Sequence, residues 1–375
     1  MDVIDDDGNL FGAVNVVDAL VVLLVLAVVI AGVAAVGVLG AEVNDPDEDD
    51  ENLTDTRYAT LEIGTESITT AEAVTAGDEL TAGNERLEIT DTYAVRTASD
   101  DAHLTVRTEI EATAHDNGTL EFADRELTTG QNVSIETDAY DVTGTTTVLE
   151  NDTADLPTTE TDVVFEQTVD HATAEQIDAG DVSQIGDETT ATLENVSVYP
   201  IAADQYRVIA GATLTTLEGE DEYNTVRYGN AIVEPDSSIA FATDGYTLGP
   251  TIRETGTTAE PGEDTTTTVE IDLEGLEDRE ASQFEPGLSE TMGGDTWATI
   301  TDVERDPASV IVETDDGDIH EREHPTQDDV TLTVELDTRE TTLGTQFKGT
   351  PLRNGDSVYL DFGVTTIDER AWIID

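Results

Sequence analysis

One pattern returns twice along this chain and limits its fold more than any other feature. Ala71-Glu72-Ala73-Val74-Thr75-Ala76-Gly77-Asp78 is echoed by Ala174-Glu175-Gln176-Ile177-Asp178-Ala179-Gly180-Asp181, and more faintly by Ala281-Ser282-Gln283-Phe284-Glu285-Pro286-Gly287. The glycines stand 103 and 107 residues apart. A strand-like run precedes each copy (Thr60-Leu61-Glu62-Ile63, Val163-Val164-Phe165, Thr268-Val269-Glu270-Ile271). Another follows it (Leu87-Glu88-Ile89, Ala191-Thr192-Leu193, Ala298-Thr299-Ile300). The copies also close alike, with Gly130-Gln131-Asn132-Val133-Ser134-Ile135, Asp236-Ser237-Ser238-Ile239-Ala240-Phe241 and Gly355-Asp356-Ser357-Val358-Tyr359-Leu360. In each closing run a turn residue leads into alternating apolar positions, the period of a half-buried strand.

Three related units follow from this, at residues 57–150, 161–256 and 266–375, each large enough to hold its own core. Acidic, Thr-rich stretches with Pro, around Asn151 to Glu160 and Glu254 to Asp264, separate them as linkers. Abundant Thr and Val, frequent Gly turns and few long amphipathic periods predict a mainly β chain of small antiparallel β domains; barrel and sandwich both fit. The Ala…Gly segment reads as a short helical turn with Gly at its C-cap.

Upstream lies a different signal. From Ala19 to Leu39 every residue is apolar or Gly, and at 1.5 Å per residue such a run spans roughly 31 Å, the thickness of a bilayer's hydrocarbon core. The predicted organisation is an N-terminal motif over 1–13, one transmembrane helix over 14–40 and an acidic linker over 41–56, where Asp45-Pro46-Asp47-Glu48-Asp49-Asp50-Glu51 has no apolar period. An acidic n-region and a full-length run favour a retained anchor over a cleaved signal. Asn15 and Asp18 suit the cap and first turn of that helix. Ala27, Ala31 and Ala35 form a small-residue stripe. No Lys or Arg precedes the run, so the charge rule for orientation is silent. Sequons at Asn52, Asn117, Asn132, Asn151 and Asn195, read as possible glycosylation sites, favour an extracellular C-terminal part.

The opening Ile4-Asp5-Asp6-Asp7-Gly8-Asn9-Leu10-Phe11-Gly12-Ala13-Val14-Asn15-Val16-Val17-Asp18 resembles the start of the domain of unknown function 4330 family. The motif positions carried over are Asp5, Gly8, Leu10, Phe11, Gly12, Asn15 and Asp18; Asn9 and Ala13 stand where that family usually has basic residues. The resemblance implies a membrane-anchored protein with an extramembrane β domain, no established activity and no catalytic residues to transfer.

Charge then narrows the milieu. With 85 Asp+Glu against 15 Lys+Arg the formal charge is −70, and Lys348 is the sole lysine. Self-repulsion on this scale is screened over roughly 8 Å at physiological salt but about 3 Å at 1 M, which points to a halophile. The acidity excludes nucleic acid as a partner, because no basic patch exists to displace phosphate counterions. The absence of cysteine excludes disulfides, thiolate metal sites and a Cys nucleophile.

One string invites chemistry. His320-Glu321-Arg322-Glu323-His324 matches the zinc-protease pattern, which needs a helix to bring both imidazoles to one metal. Here it lies between the turn Asp315-Asp316-Gly317-Asp318 and Pro325, flanked by strand-like Val310-Ile311-Val312 and Val330-Thr331-Leu332-Thr333-Val334, so a hairpin or an edge segment with exposed polar side chains is predicted instead. His103, His115 and His171 are scattered, and no Gly-x-Ser-x-Gly turn or phosphate loop appears. Trp297, Trp372 and the tyrosines are expected to pack the cores, with Tyr223 and Tyr228 as candidates for a binding surface. The sequence therefore predicts a non-enzymatic cell-envelope spacer or interaction module without cofactors. Its partners are the lipid bilayer and proteins met through the β repeats or the helix. The alternatives are an adaptor subunit of a membrane transport or secretion assembly, and a zinc hydrolase through His320 and His324.

Overall fold

Alternation of Val, Ile and Leu with Thr and acids dictates strands with one face buried, and strands dominate the protein. The computed structural model describes residues 9–10, 14–15, 53–82, 85–115, 117–219, 225–313 and 319–374. Near the N-terminus β1 (Asn9–Leu10) pairs antiparallel with β2 (Val14–Asn15). The apolar run, Asp18 and the remaining motif residues Asp5, Gly8, Phe11 and Gly12 lie outside the described residues. So do Asn52 and Tyr223. No helix among the described residues is long and apolar enough to cross a membrane.

Repeat 1 comprises β3 (Leu53–Ser67), α1 (Ile68–Ala73), β4 (Glu79–Ala82), β5 (Glu85–Arg96), β6 (Asp101–Ala114), β7 (Leu120–Phe122), β8 (Arg125–Glu126), β9 (Asn132–Glu136) and β10 (Asp141–Glu150). Repeat 2 comprises β11 (Thr158–Val169), α2 (His171–Ala174), β12 (Val182–Ile185), β13 (Glu188–Ala202), β14 (Gln205–Glu218), β15 (Val226–Tyr228), β16 (Ala231–Ile232), β17 (Phe241–Ala242), β18 (Thr247–Leu248) and β19 (Thr251–Thr255). Repeat 3 comprises β20 (Glu263–Glu277), α3 (Asp278–Ala281), β21 (Ser289–Met292), β22 (Asp295–Glu313), β23 (Ile319–Thr341), β24 (Gly344–Phe347), β25 (Thr350–Pro351), β26 (Ser357–Asp361) and β27 (Thr366–Ile373).

The sheets share one antiparallel path. Repeat 1 runs β4-β5-β6-β3-β10-β9 with the β7–β8 hairpin hung on β6; repeat 3 runs β21-β22-β23-β20-β27-β26 with β24–β25 on β23. This order reads the same from both ends: a long strand, an insert, a short strand and a strand, each set given twice. Repeat 2 keeps the path β12-β13-β14-β11-β19 but splits its last strand, leaving β17–β18 as a separate hairpin. Pro250 is the cause, because it sits between β18 and β19 and has no N–H for the ladder.

Bulges bend these sheets into barrel-like curls. They interrupt the register between Ile89 and Asp91, Leu193 and Asn195, and Ile300 and Asp302. The recurrent glycines do not cap the helices, as the sequence suggested. The C-caps are Val74, Glu175 and Ser282, while Gly77, Gly180 and Gly287 make corners at φ +94°, +96° and +92°. That left-handed backbone, costly for any residue with a Cβ, aims the next strand at the bulge. Gly77 N–H donates to Ile89 O and Ile89 N–H to Asp78 O; Gly180 and Gly287 make the same pair of bonds with Leu193 and Ile300. A second corner repeats the device at Gly130, Asp236 and Gly355, against Thr146, Ile252 and Ala371.

Each curl encloses a core, among them Leu61, Ile89 and Val106 in repeat 1, Phe165, Leu193 and Phe241 in repeat 2, and Ile271, Ile300 and Leu332 in repeat 3. The cores are not self-contained. Tyr93 and Val95 of repeat 1 belong to the second cluster, and Val164, Tyr199 and Ile209 of repeat 2 belong to the third. The stretches between repeats are packed too: Leu156 is buried in the second core, so they are wedges rather than free linkers.

Candidate functional site

Among the described residues the joints between repeats hold the buried cations Arg107 and Lys348 together with clefts, and a further cleft lies on the turn face of repeat 1. After the strand that follows the hairpin end, each repeat carries a two-residue turn with an aromatic anchor: Phe122-Ala123-Asp124-Arg125, Tyr228-Gly229-Asn230-Ala231 and Phe347-Lys348-Gly349-Thr350. Its backbone is left-handed at Ala123, Asp124, Gly229, Lys348 and Gly349, as a tight hairpin turn demands. The aromatic of each turn is buried. In repeats 2 and 3 the tip of the turn rests on the preceding repeat.

At the joint between repeats 1 and 2, a Cβ on Gly229 would lie 3.4 Å from Val95 Cβ and 3.6 Å from His103 Cβ. Tyr93 crosses the boundary; its hydroxyl donates to Thr215 O at 2.8 Å and accepts from Gly229 N–H at 3.4 Å. The connecting segment is tied down from repeat 1. Leu156 N–H donates to Asp91 Oδ2 at 2.8 Å, Thr90 Oγ1 donates to Ala154 O, and buried Arg107 donates to Thr153 O at 2.8 Å and Thr60 Oγ1 at 2.7 Å while pairing with Glu150. Arg96 reaches Asp244 at 2.7 Å. A cleft of about 340 Å3 remains, lined by Glu62, His103, Leu156, Glu218, Arg227 and neighbours. Burial lowers the His103 pKa, an effect that Arg227 reinforces and Glu62 opposes.

At the joint between repeats 2 and 3, a Cβ on Gly349 would lie 2.6 Å from Ile209 Cδ1. Arg207 Nη1 donates to Lys348 O at 2.7 Å and Thr350 Oγ1 at 2.8 Å. The sole lysine turns inward here. Lys348 Nζ lies 2.7 Å from both Glu290 oxygens and donates to Pro200 O at 2.8 Å and Tyr359 O at 2.7 Å. Asp361 N–H adds a bond to Glu290 Oε1 at 2.8 Å. Lys348 is 5% exposed and Glu290 1%. Burial lowers the Lys348 pKa to about 8 although Glu290 pulls it up, and burial raises the Glu290 pKa against the opposing pull of Lys348. Charges this deep persist because every ammonium hydrogen has an acceptor.

The second connecting segment enters closer than the first. Thr258 O stands 1.7 Å from where a Cβ on Gly211 would lie, so only glycine fits beneath it. Asn195 Nδ2 donates to Thr258 O at 3.3 Å, Tyr199 donates to Glu260, and Arg339 gathers the carbonyls of Glu260, Pro261 and Gly262. Tyr199 and Trp297 pack with ring centroids 4.5 Å apart.

The residues singled out by sequence fare differently. His320 and His324 lie on β23, with Val312 opposite His320. Four residues of strand separate them by roughly 13 Å along the chain, too far for two ligands of one zinc at about 2 Å each. The predicted hairpin is present there. Among the described residues no three His, Asp or Glu side chains are grouped to hold a metal. Tyr228 lines no surface; it is buried, with its hydroxyl 3.3 Å from Thr190 Oγ1. Trp297 is in the core as expected, but Trp372 is 42% exposed, because it follows the buried Ala371 on β27 and so points to the outer face, opposite Glu270. Asn117, Asn132, Asn151 and Asn195 are exposed, and Asn195 alone among them uses its amide nitrogen at a joint. The motif residues Leu10 and Asn15 take part in the β1–β2 ladder. Lys348 and Arg107 were within reach of sequence reasoning only as rare cations in an acidic chain.

These features define a class: a tandem array of curled antiparallel β repeats joined by wedged, side-chain-filled seams. Residues 1–92 of the chain match the model of the family described as Domain of unknown function (DUF4330). No curated protein and no solved structure matches the chain.

Proposed function

We propose that this chain is a membrane-anchored, non-enzymatic cell-envelope protein whose three repeats act as one stiff interaction arm in a molar-salt milieu. The observation that carries the reading is the construction of the joints. Buried Tyr93 and Leu156 tie the first seam, and at the second the ammonium of Lys348, paired with Glu290 inside repeat 3, donates to Pro200 O of repeat 2, so bending at a seam exposes core and strips a buried charge of an acceptor. Beads on flexible linkers have the opposite design. The apolar run Ala19–Leu39 supports the anchor. The exposed sequons at Asn117, Asn132 and Asn151 support an outside location. The charge of −70 supports high salt.

The test is protease shielding of intact cells in molar salt, with an epitope added after Asp375. Loss of the epitope from intact cells is the expected result; protection until lysis overturns the outside arm. The motif from Asp5 to Asp18 running straight into the apolar segment supports one further reading, an adaptor subunit of a membrane transport or secretion assembly whose N-terminal motif and helix dock on partner helices. Exchanging residues 1–40 for an unrelated anchor separates the two, since the arm keeps its function after the exchange and the adaptor does not.

A further inference from the structure

The cleft of about 460 Å3 at the joint between repeats 2 and 3 is bordered by Phe347, Lys348, Leu352 and Val358 of repeat 3 and by Ile201 and Arg207 of repeat 2. Ile201 packs against the repeat 3 core, and Arg207 holds the turn carbonyl. The hairpin end of β13–β14 thus supplies an aliphatic side chain and an arginine to the turn face of the next repeat. Repeat 1 has the same cleft, of about 240 Å3, lined at corresponding positions by Phe122, Ala123, Leu127, Val133 and Ser134. No repeat precedes it among the described residues.

The complementary element is also present without a partner. In repeats 1 and 2 the hairpin ends β5–β6 and β13–β14 face the next repeat; in repeat 3 the corresponding end, β22–β23, runs on past Pro307 as a two-stranded arm. The arm carries Val310 paired with Arg322 and Ile311 paired with Glu321. Ile311 is 74% exposed, with nothing in the repeat to cover it. The face that carries Ile311 therefore presents an aliphatic side chain, as Ile201 does at the internal joint, with the acid Glu321 beside it. The rim of the repeat 1 cleft carries the guanidinium of exposed Arg125, which suits the acid beside Ile311, together with Glu126.

We propose that the repeat 1 cleft is a docking site for the β22–β23 arm of a second copy of this chain. The contact continues the internal joint from one molecule to the next and is head-to-tail, so it leaves one arm and one cleft free at the ends. Both partners are acidic, so it forms in molar salt and weakens as salt is removed.

The chain has no cysteine, which makes the test specific. Full-length chains carrying Ile311→Cys and Ser134→Cys are co-expressed separately tagged, and their membranes are oxidised in molar salt. The expected result is a mixed disulfide dimer at least tenfold more abundant than with Ser282→Cys, an exposed control on repeat 3. Equal yields, or no dimer, overturn the proposal. As a second measurement, detergent-solubilised full-length chain is expected to associate with rising concentration in molar salt and to lose that behaviour with Ile311→Asp. Association unchanged by Ile311→Asp also overturns it. Neither readout depends on which side of a membrane the repeats occupy or on whether residues 1–40 dock a partner, so failure here is distinct from failure of the arm reading.

Discussion

The two joints solve one geometric problem with different chemistry. Between repeats 1 and 2 the turn tip is glycine, the crossing group is the neutral phenol of Tyr93, and the connecting segment is held by Arg107. Between repeats 2 and 3 the tip begins with Lys348, the crossing group is its ammonium, held by Glu290 within repeat 3 and donating to Pro200 O of repeat 2, and the position matching Arg107 is Gly211, whose missing side chain makes room for Thr258. A seam can thus be closed by gripping the connection from below or by letting it sink into the sheet. The first choice leaves a cleft beside a histidine; the second commits a buried charge pair.

The sharpest way to break this contrast is to remove one charge. Lys348→Met leaves Glu290 buried and unpaired, and a cost of about 3–5 kcal/mol is expected, read as a lower denaturation midpoint in molar salt. Lys348→Met combined with Glu290→Gln is expected to recover part of it. A double variant as unstable as the single one would show that the pair is not the source. Next in size, Gly211→Ala forces the sheet away from Thr258, and overpacking of this kind costs roughly 1–3 kcal/mol. Hydrogen exchange should then rise along β14 and residues 256–262 while β5 and β6 stay protected. Tyr93→Phe removes the bond to Thr215 O and is expected to cost about 1 kcal/mol, with faster exchange confined to the first joint.

The smallest effect separates the joints by pH. The lowered pKa of His103 means that the unfolded chain binds more protons than the folded one from its ordinary value of 6.5 downward. The contribution of His103 is therefore intact above pH 6.5 and is lost as pH falls through the folded value. Glu290 has the opposite sign. Its raised pKa makes the folded chain bind more protons just above the ordinary carboxylate range, so its contribution grows as pH falls toward 4.5. Exchange measured from pH 7 to pH 5 should rise at the tips of β5 and β6 before those of β13 and β14, and His103→Gln should abolish the difference.

Much of the architecture was legible in the glycine spacing. The runs around Leu61, Phe165 and Ile271 are the central long strands β3, β11 and β20. The corner role of Gly77, Gly180 and Gly287 was not legible, because a glycine after a helical turn looks the same in sequence as a C-cap. The joints were hidden for another reason. Lys348 and Glu290 are 58 residues apart, and Lys348 and Pro200 are 148 apart; no local pattern relates them. Trp372 was misjudged because aromatic character predicts burial on average, whereas its place next to the buried Ala371 turns it to the outer face of β27.

The mirror-like strand order of each repeat bears on how such a chain can lengthen. The two central strands, β3 and β6 in repeat 1, each pair with the other and with a strand of their opposite half. A half taken alone would leave a fourteen- or fifteen-residue strand with an open edge down its whole length, an invitation to aggregate. Duplication or loss of genetic material can therefore be tolerated only in whole repeats, so viable descendants should differ in length by steps near the 103 or 107 residues that separate the corner glycines.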